Sequence, residues 1–108
     1  MTLKYGREVS MKFVQIIEFQ TSRLDEMRAL DKQWQEATEG RRTATALSIT
    51  KDRDRPDTYL WMVEFPSYED AMRNNEMPET QQISEQMMKL ADGPAVFRNL
   101  EVIEQSPL

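Results

Sequence analysis

TYLWMVEFPSYEDAMRNN, residues 58–75, reads as a buried strand running directly into a capped helix. Successive strand residues point to opposite faces. Tyr59, Trp61, Val63 and Phe65 therefore share one side-chain phase, and Leu60 and Met62 share the other. Both phases are apolar, so both faces of this strand need cover. Asp57 and Pro66 bound the run, and Pro66 ends the ladder because it has no N–H to donate. Ser67-Tyr68-Glu69-Asp70 then fits a capping box: the Ser67 hydroxyl accepts from a first-turn N–H and Asp70 reaches back.

Outward from this stretch, KFVQIIEF (residues 12–19) is a strand with Phe13, Gln15, Ile17 and Phe19 on one face and Val14 and Ile16 on the other. Gln15 is thus a polar group on an otherwise apolar face. Ser22-Arg23-Leu24-Asp25 offers a second capping box. The helix behind it carries a stripe of Leu24, Met27, Leu30, Trp34 and Ala37 at three- and four-residue steps. Arg28, Asp31, Lys32, Gln35 and Glu36 are expected on its solvated side, Trp34 as an anchor against the sheet, and Gly40 at its C-cap. Residues 43–50 (TATALSIT) form a strand with Leu47 and Ile49 on one face and small residues on the other. KDRDRPD (residues 51–57) is a polar hairpin tip in which each arginine has an aspartate beside it. A helical region broken at Met77-Pro78 follows. Ile83, Met87 and Leu90 mark the stripe of its second part, and Val96 to Glu104 is the last strand. Residues 1–10 read as a loose extension, 11–104 as the domain, and 105–108 as a tail.

The order strand, helix, strand, strand, helix, strand predicts an α+β fold of the ferredoxin-like, split-βαβ type (βαββαβ): a four-stranded antiparallel sheet with its helices on one face. The other face is then bare. Either the Tyr59, Trp61, Val63 and Phe65 phase or the Leu60 and Met62 phase must point there, and a second copy around a two-fold axis is the simplest cover. The expectation is a homodimer.

Composition narrows the function classes. A chain of 108 residues is one domain. A net charge of −5 opposes a nucleic-acid partner, which needs a basic face. No apolar run is long enough for a membrane span. The absence of cysteine removes disulfide and thiolate chemistry and fits a cytoplasmic setting. The absence of histidine removes the commonest general base and the usual haem and zinc ligand, so no metal site is expected. Only three glycines, none in a phosphate-binding pattern, add no sign of a nucleotide or flavin cofactor. Eight methionines suit an adaptable core or a pliable ligand cavity.

The element order, the opening MKFVQIIEF and the run LWMVEFPSYEDAMRNN resemble the dimeric α+β barrel superfamily, and within it the antibiotic-biosynthesis-monooxygenase-like (ABM-like) group, over Met11 to Glu104. In that group an aromatic third strand feeds a helix through a Ser-x-Glu-Asp/Glu-Ala turn, here Ser67 to Ala71. The group's second helix commonly carries a histidine where this chain has Asn75, and haem-degrading relatives depend on a histidine that is missing here. The resemblance implies a small aromatic molecule bound between helices and sheet, and a monooxygenase reaction without metal or flavin on a phenol or quinol. Under that reading Asn75 or Gln15 supplies a dipole, Glu18 or Glu64 accepts a proton, and Tyr59, Trp61 and Met72 wall the ligand. The alternative on the same fold is a non-catalytic ligand-binding or protein-interaction module. An open cleft favours ligand binding, and one filled by Met72, Met87 and Trp34 favours a structural partner.

Overall fold

The computed structural model describes residues 12–108. The expected extension over residues 1–10, and Met11 at the domain's start, lie outside the described residues. Seven elements follow in order: β1 (Phe13–Gln20), α1 (Leu24–Ala37), β2 (Ala46–Lys51), β3 (Thr58–Phe65), α2 (Tyr68–Glu76), α3 (Pro78–Leu90) and β4 (Val96–Glu101). The strands form one antiparallel sheet in the order β2-β3-β1-β4. This is the expected ferredoxin-like α+β arrangement, with the second helix delivered as two segments. Met77 leaves the helical region with ψ 131°, and Pro78 starts α3 at a position that needs no N–H.

Register decides which residues of β1 share a face with each phase of β3. Phe13 pairs with Phe65, Gln15 with Val63, Ile17 with Trp61 and Phe19 with Tyr59, so one face gathers nearly all the large aromatic side chains. The helices cover this face. Leu60 and Met62, together with Val14 and Ile16 of β1 and Val96 and Leu100 of β4, form the other face. Among these, Val96 and Leu100 remain 45% and 43% exposed.

The core under the helices is in two parts. Phe13, Val63, Phe65 and Ala71 pack at one end, with Met72 against them. Phe19, Met27, Tyr59 and Trp61 pack at the other, where the Phe19 and Trp61 rings lie 4.8 Å apart. Gln15 stands on β1 between Phe13 and Ile17, and a polar residue there cannot join either cluster.

The helix ends correct the expected caps in part. Ser67 does cap α2: its hydroxyl accepts from Asp70 N–H at 3.1 Å and donates to Asp70 Oδ2 at 3.0 Å. At α1 the N-cap is Arg23, with no side-chain cap bond. Ser22 instead donates its backbone N–H to Asp92 Oδ2 at 3.0 Å, which ties the start of α1 to the end of α3. α1 closes at Thr38 and not at Gly40; the Thr38 hydroxyl donates to Trp34 C=O at 2.6 Å. Gly40, at φ 78°, serves the loop beyond. The last strand stops at Glu101, three residues short of the expected Glu104.

Removing the Phe65 ring should cost far more than removing the α2 cap. Phe65→Ala is expected to lose about 3–5 kcal/mol of unfolding free energy, and Ser67→Ala about 1 kcal/mol. Urea titrations read by far-ultraviolet circular dichroism measure both. Equal losses would place the core elsewhere.

Candidate functional site

A cleft of about 540 Å³ opens between the helix-side face of the sheet and helices α1, α2 and α3. Its apolar walls include Ile17, Trp34, Trp61, Ile83, Met87 and Phe97. The space lies beside Gln15, and its lining includes Leu47, which packs against both core clusters. The Gln15 amide donates to Asn99 Oδ1 of β4 at 3.3 Å, so two neutral polar groups lie together on the cleft floor. Trp34 and Met87 line the cavity without closing it. Trp34 is fixed by its indole N–H, which donates to the Thr80 hydroxyl of α3 at 2.9 Å, and by the Arg42 guanidinium 5.8 Å above its ring. Arg41 and Glu79 form an ion pair that joins the end of α1 to the start of α3.

The sequence-derived site residues separate into three sets. Gln15, Trp61 and Asn75 line the cleft. Tyr59 and Met72 belong instead to the packed clusters at its two ends, and neither is on its lining. Glu18 and Glu64 are in the opposite side-chain phase from Gln15 and Trp61, because they alternate with Ile17 and Phe19 on β1 and with Val63 and Phe65 on β3. Both carboxylates therefore stand on the far face of the sheet, where they have no access to the cleft. Glu18 is held there by Arg55, at 3.2 Å, and by Arg98, at 3.3 Å. The Arg55 guanidinium, followed by Arg98, draws its carboxyl below the ordinary range.

Two residues that the sequence reading passed over lie inside. Asp31, expected on the solvated side of α1, is only 7% exposed and lines the cleft. The buried face of α1 runs Met27, Asp31, Trp34, Thr38, with Leu24 packed against the core at its start, and it leaves Leu30 and Ala37 to one side. Its signal was present in the spacing: Asp31 is four residues after Met27 and three before Trp34. Asn74, adjacent to the expected Asn75, is the deeper of the pair at 5% exposed.

Burial pushes the Asp31 carboxyl upward. The Gln35 amide, donating to Oδ2 at 2.8 Å, the nearby Trp61 indole N–H and the Arg42 charge act in the opposite direction without cancelling it. Trp61 Nε1 approaches Asp31 but completes no hydrogen bond of good geometry, and among the described residues it is buried without a partner, as is Asn74 Oδ1. A third such atom, Glu79 Oε1, sits outside the cleft in the Arg41 pair. Among the described residues no group of three or more His, Cys, Asp or Glu is placed to hold a metal ion, and no helix is long and apolar enough to cross a membrane.

No protein-family model matches the sequence, and neither does any curated protein. Solved structures do match. A conserved protein from Methanosarcina mazei Go1 superposes with a TM-score of 0.75 at 10% identity, over 86% of this chain and 94% of its own. A Nitrosomonas europaea protein assigned to the antibiotic biosynthesis monooxygenases gives 0.71 at 10% identity, over 87% and 92%. SnoaB, a cofactor-independent oxygenase from Streptomyces nogalater, gives 0.72 at 10% identity, over 86% and 94%. The fold is that of the ABM-like group. Identities this low carry the architecture and leave the chemistry of the cleft to its own residues.

The Asp31 result has a direct consequence for stability. Its carboxyl titrates higher in the folded chain than in the unfolded one, so the fold favours the protonated form. That contribution is complete below the unfolded value and is lost as pH rises through the folded one. Asp31→Asn is therefore expected to unfold at higher urea than the parent at neutral pH, with the advantage shrinking as the pH falls into the ordinary aspartate range. Paired urea curves across that interval measure it, and a neutral-pH loss would contradict the sign.

Proposed function

We propose that the cleft binds a small planar aromatic molecule and that the protein is a cofactor-independent monooxygenase acting on a phenol or quinol. The observation that carries this reading is the open cleft itself, about 540 Å³, walled by tryptophan, phenylalanine and aliphatic side chains with a few convergent polar groups. The same fold in SnoaB, a cofactor-independent oxygenase, supports it. The chemistry needs no outside reductant. A phenol and O2 give a quinone and water, and a quinol and O2 give a hydroxyquinone and water; the substrate supplies all four electrons. The protein has to exclude bulk water, hold the ring, take up a proton and stabilise an oxyanion. Trp61 and Trp34 provide ring walls, and Asn75 and Gln15 provide neutral dipoles. Polar lining groups that are mostly neutral amides and hydroxyls also suit a non-catalytic binding module, which the oxygen measurement below distinguishes.

We assign the working unit as a homodimer. The face bearing Leu60, Met62, Val14, Ile16, Val96 and Leu100 is largely apolar, interrupted by Glu64 and by the Glu18–Arg98 pair. A second copy related by a two-fold axis would bury it, giving the dimeric α+β barrel. The cysteine-free composition suits a reducing cytoplasm. The domain is assigned to residues 11–104.

Size exclusion with light scattering should report a dimer at tens of micromolar, and Met62→Lys, which places a charge on the exposed phase of β3, should shift it to monomer while preserving the circular dichroism spectrum. A monomeric parent would refute the dimer.

Planar phenols and quinols should raise the melting temperature by linkage and quench Trp61 fluorescence, read in Trp34→Phe to remove the second emitter. Asn75→Ala should weaken binding by about 1–3 kcal/mol where its amide meets the ligand in a dry cleft. Oxygen uptake above the autoxidation rate, lowered in Asn75→Ala, identifies an enzyme. Binding without uptake identifies the non-catalytic module, and no binding by any aromatic compound removes the cleft reading.

A further inference from the structure

Asn75 and Gln15 leave unexplained three deeper polar side chains of the same cleft, each on a different element. Asp31 comes from α1, Trp61 from β3 and Asn74 from α2, and they are 7%, 3% and 5% exposed. Burying a carboxyl, an indole N–H and an amide carbonyl is costly unless each has a partner. Among the described residues, Asp31 has only Gln35 as a hydrogen-bond donor of good geometry, on Oδ2, and Trp61 Nε1 and Asn74 Oδ1 have no partner. A carboxyl that is mostly buried, lines the cleft and is engaged by Gln35 through Oδ2 is placed to meet a ligand's hydroxyl there.

Resting on the phenol-binding reading above, we infer that Asp31 is the general base of the cleft, with the Trp61 indole N–H behind its carboxylate as a positioning group. The hydroxyl of a bound phenol donates to the Asp31 carboxylate. Its O–H bond breaks, an O–H bond forms on Asp31, and the electron pair stays on the phenolate oxygen. The substrate class is thereby narrowed to a ring with an ionisable hydroxyl, as in a dihydroxybenzene or its fused-ring analogues. An elevated carboxyl affinity for protons suits this role, because it brings the base closer to the phenol it must deprotonate.

The charges facing Asp31 are few. Arg42, just beyond α1, is the cation whose field reaches it. Glu85 of α3 is the other carboxylate on the lining; β1, β3 and β4 present neutral Gln15, Trp61 and Asn99, and α2 presents Asn74 and Asn75. Asp31 and Glu85 are the two carboxylates on this lining, so the part of the pH response that Asp31→Asn removes is the part that belongs to Asp31.

The test compares hydroquinone and naphthalene diols with their O-methyl ethers, which keep the ring and lose the acidic proton. Isothermal titration across pH gives affinities, and oxygen uptake gives turnover. The full-length parent should prefer the diol to its ether by about tenfold or more at neutral pH, the range of a charge-assisted hydrogen bond, and the preference should collapse on acidification as Asp31 is protonated. Asp31→Asn should abolish the pH-dependent part of the preference and lower turnover by roughly 10²–10⁴-fold. Asp31→Glu, which retains a carboxylate, should restore part of both and guards against a folding defect, with circular dichroism recorded for each. Trp61→Phe keeps an aromatic wall and should reduce diol affinity more than ether affinity. Equal affinity for diol and ether in the parent, or an Asp31→Asn variant with unchanged preference and turnover, would overturn the assignment while leaving the cleft reading in place. If the parent binds neither compound, both readings fall.

Discussion

A strand that is apolar on both phases cannot be satisfied by one layer of helices. β3 occupies an interior position of the sheet, between β2 and β1, and presents Tyr59, Trp61, Val63 and Phe65 to the helices while Leu60 and Met62 face away. Backbone hydrogen bonds on both sides hold it rigid. Side-chain alternation then commits every neighbour in register, so Phe13, Ile17 and Phe19 must lie on the helix side and Val14, Ile16 and Glu18 on the other. The placement of the cleft, the displacement of Glu18 and Glu64 from it, and the apolar far face all follow from this one register.

The cleft exists because the helix-side face is not uniformly filled. Gln15 interrupts β1 between Phe13 and Ile17, and the apolar contacts divide into a Phe65 cluster and a Phe19–Trp61 cluster. Helices α1 and α3 span the gap and are held to each other by Trp34–Thr80 and Arg41–Glu79 rather than by filling it with side chains. A domain of this size has little core to spare. Leaving a cavity, and burying Asp31, Trp61 Nε1 and Asn74 Oδ1 around it, lowers stability at the place where binding or chemistry would benefit. By contrast the ionic contacts of Glu18 with Arg55 and Arg98, on the other face, are largely solvated and weak.

The two faces of the sheet thus differ in composition. The helix-side face combines aromatic surface with a few neutral or titratable polar groups. The far face combines aliphatic side chains with Glu18, Glu64 and Arg98. Under the proposed reading, a ligand and a second copy of the chain would lie on opposite sides of β1 and β3.

Periodicity and punctuation in the sequence determined the element order, the break at Met77-Pro78, the Ser67 cap and the ferredoxin-like class, because these depend on near neighbours along the chain. The apolar phases of β1 and β3 were equally legible, and with them the membership of Gln15 on an aromatic face. Which phase of β3 the helices would cover was not, since both are apolar and only the packing of α1, α2 and α3 breaks the tie. The same applies to Asp31. Its spacing from Leu24, Met27 and Trp34 is compatible with the inner stripe, but an aspartate there competes with Leu30 for the buried side, and hydrophobicity alone favours the leucine. The helix is rotated instead to bring Asp31 against Trp61 and Trp34 against Thr80. Glu18 and Glu64 were assigned to the cleft by the resemblance, although strand alternation already set them opposite Gln15 and Trp61. Local sequence determines what an element is and which residues share its faces; the choice of the face that turns inward is made by the other elements, through contacts distant in the chain.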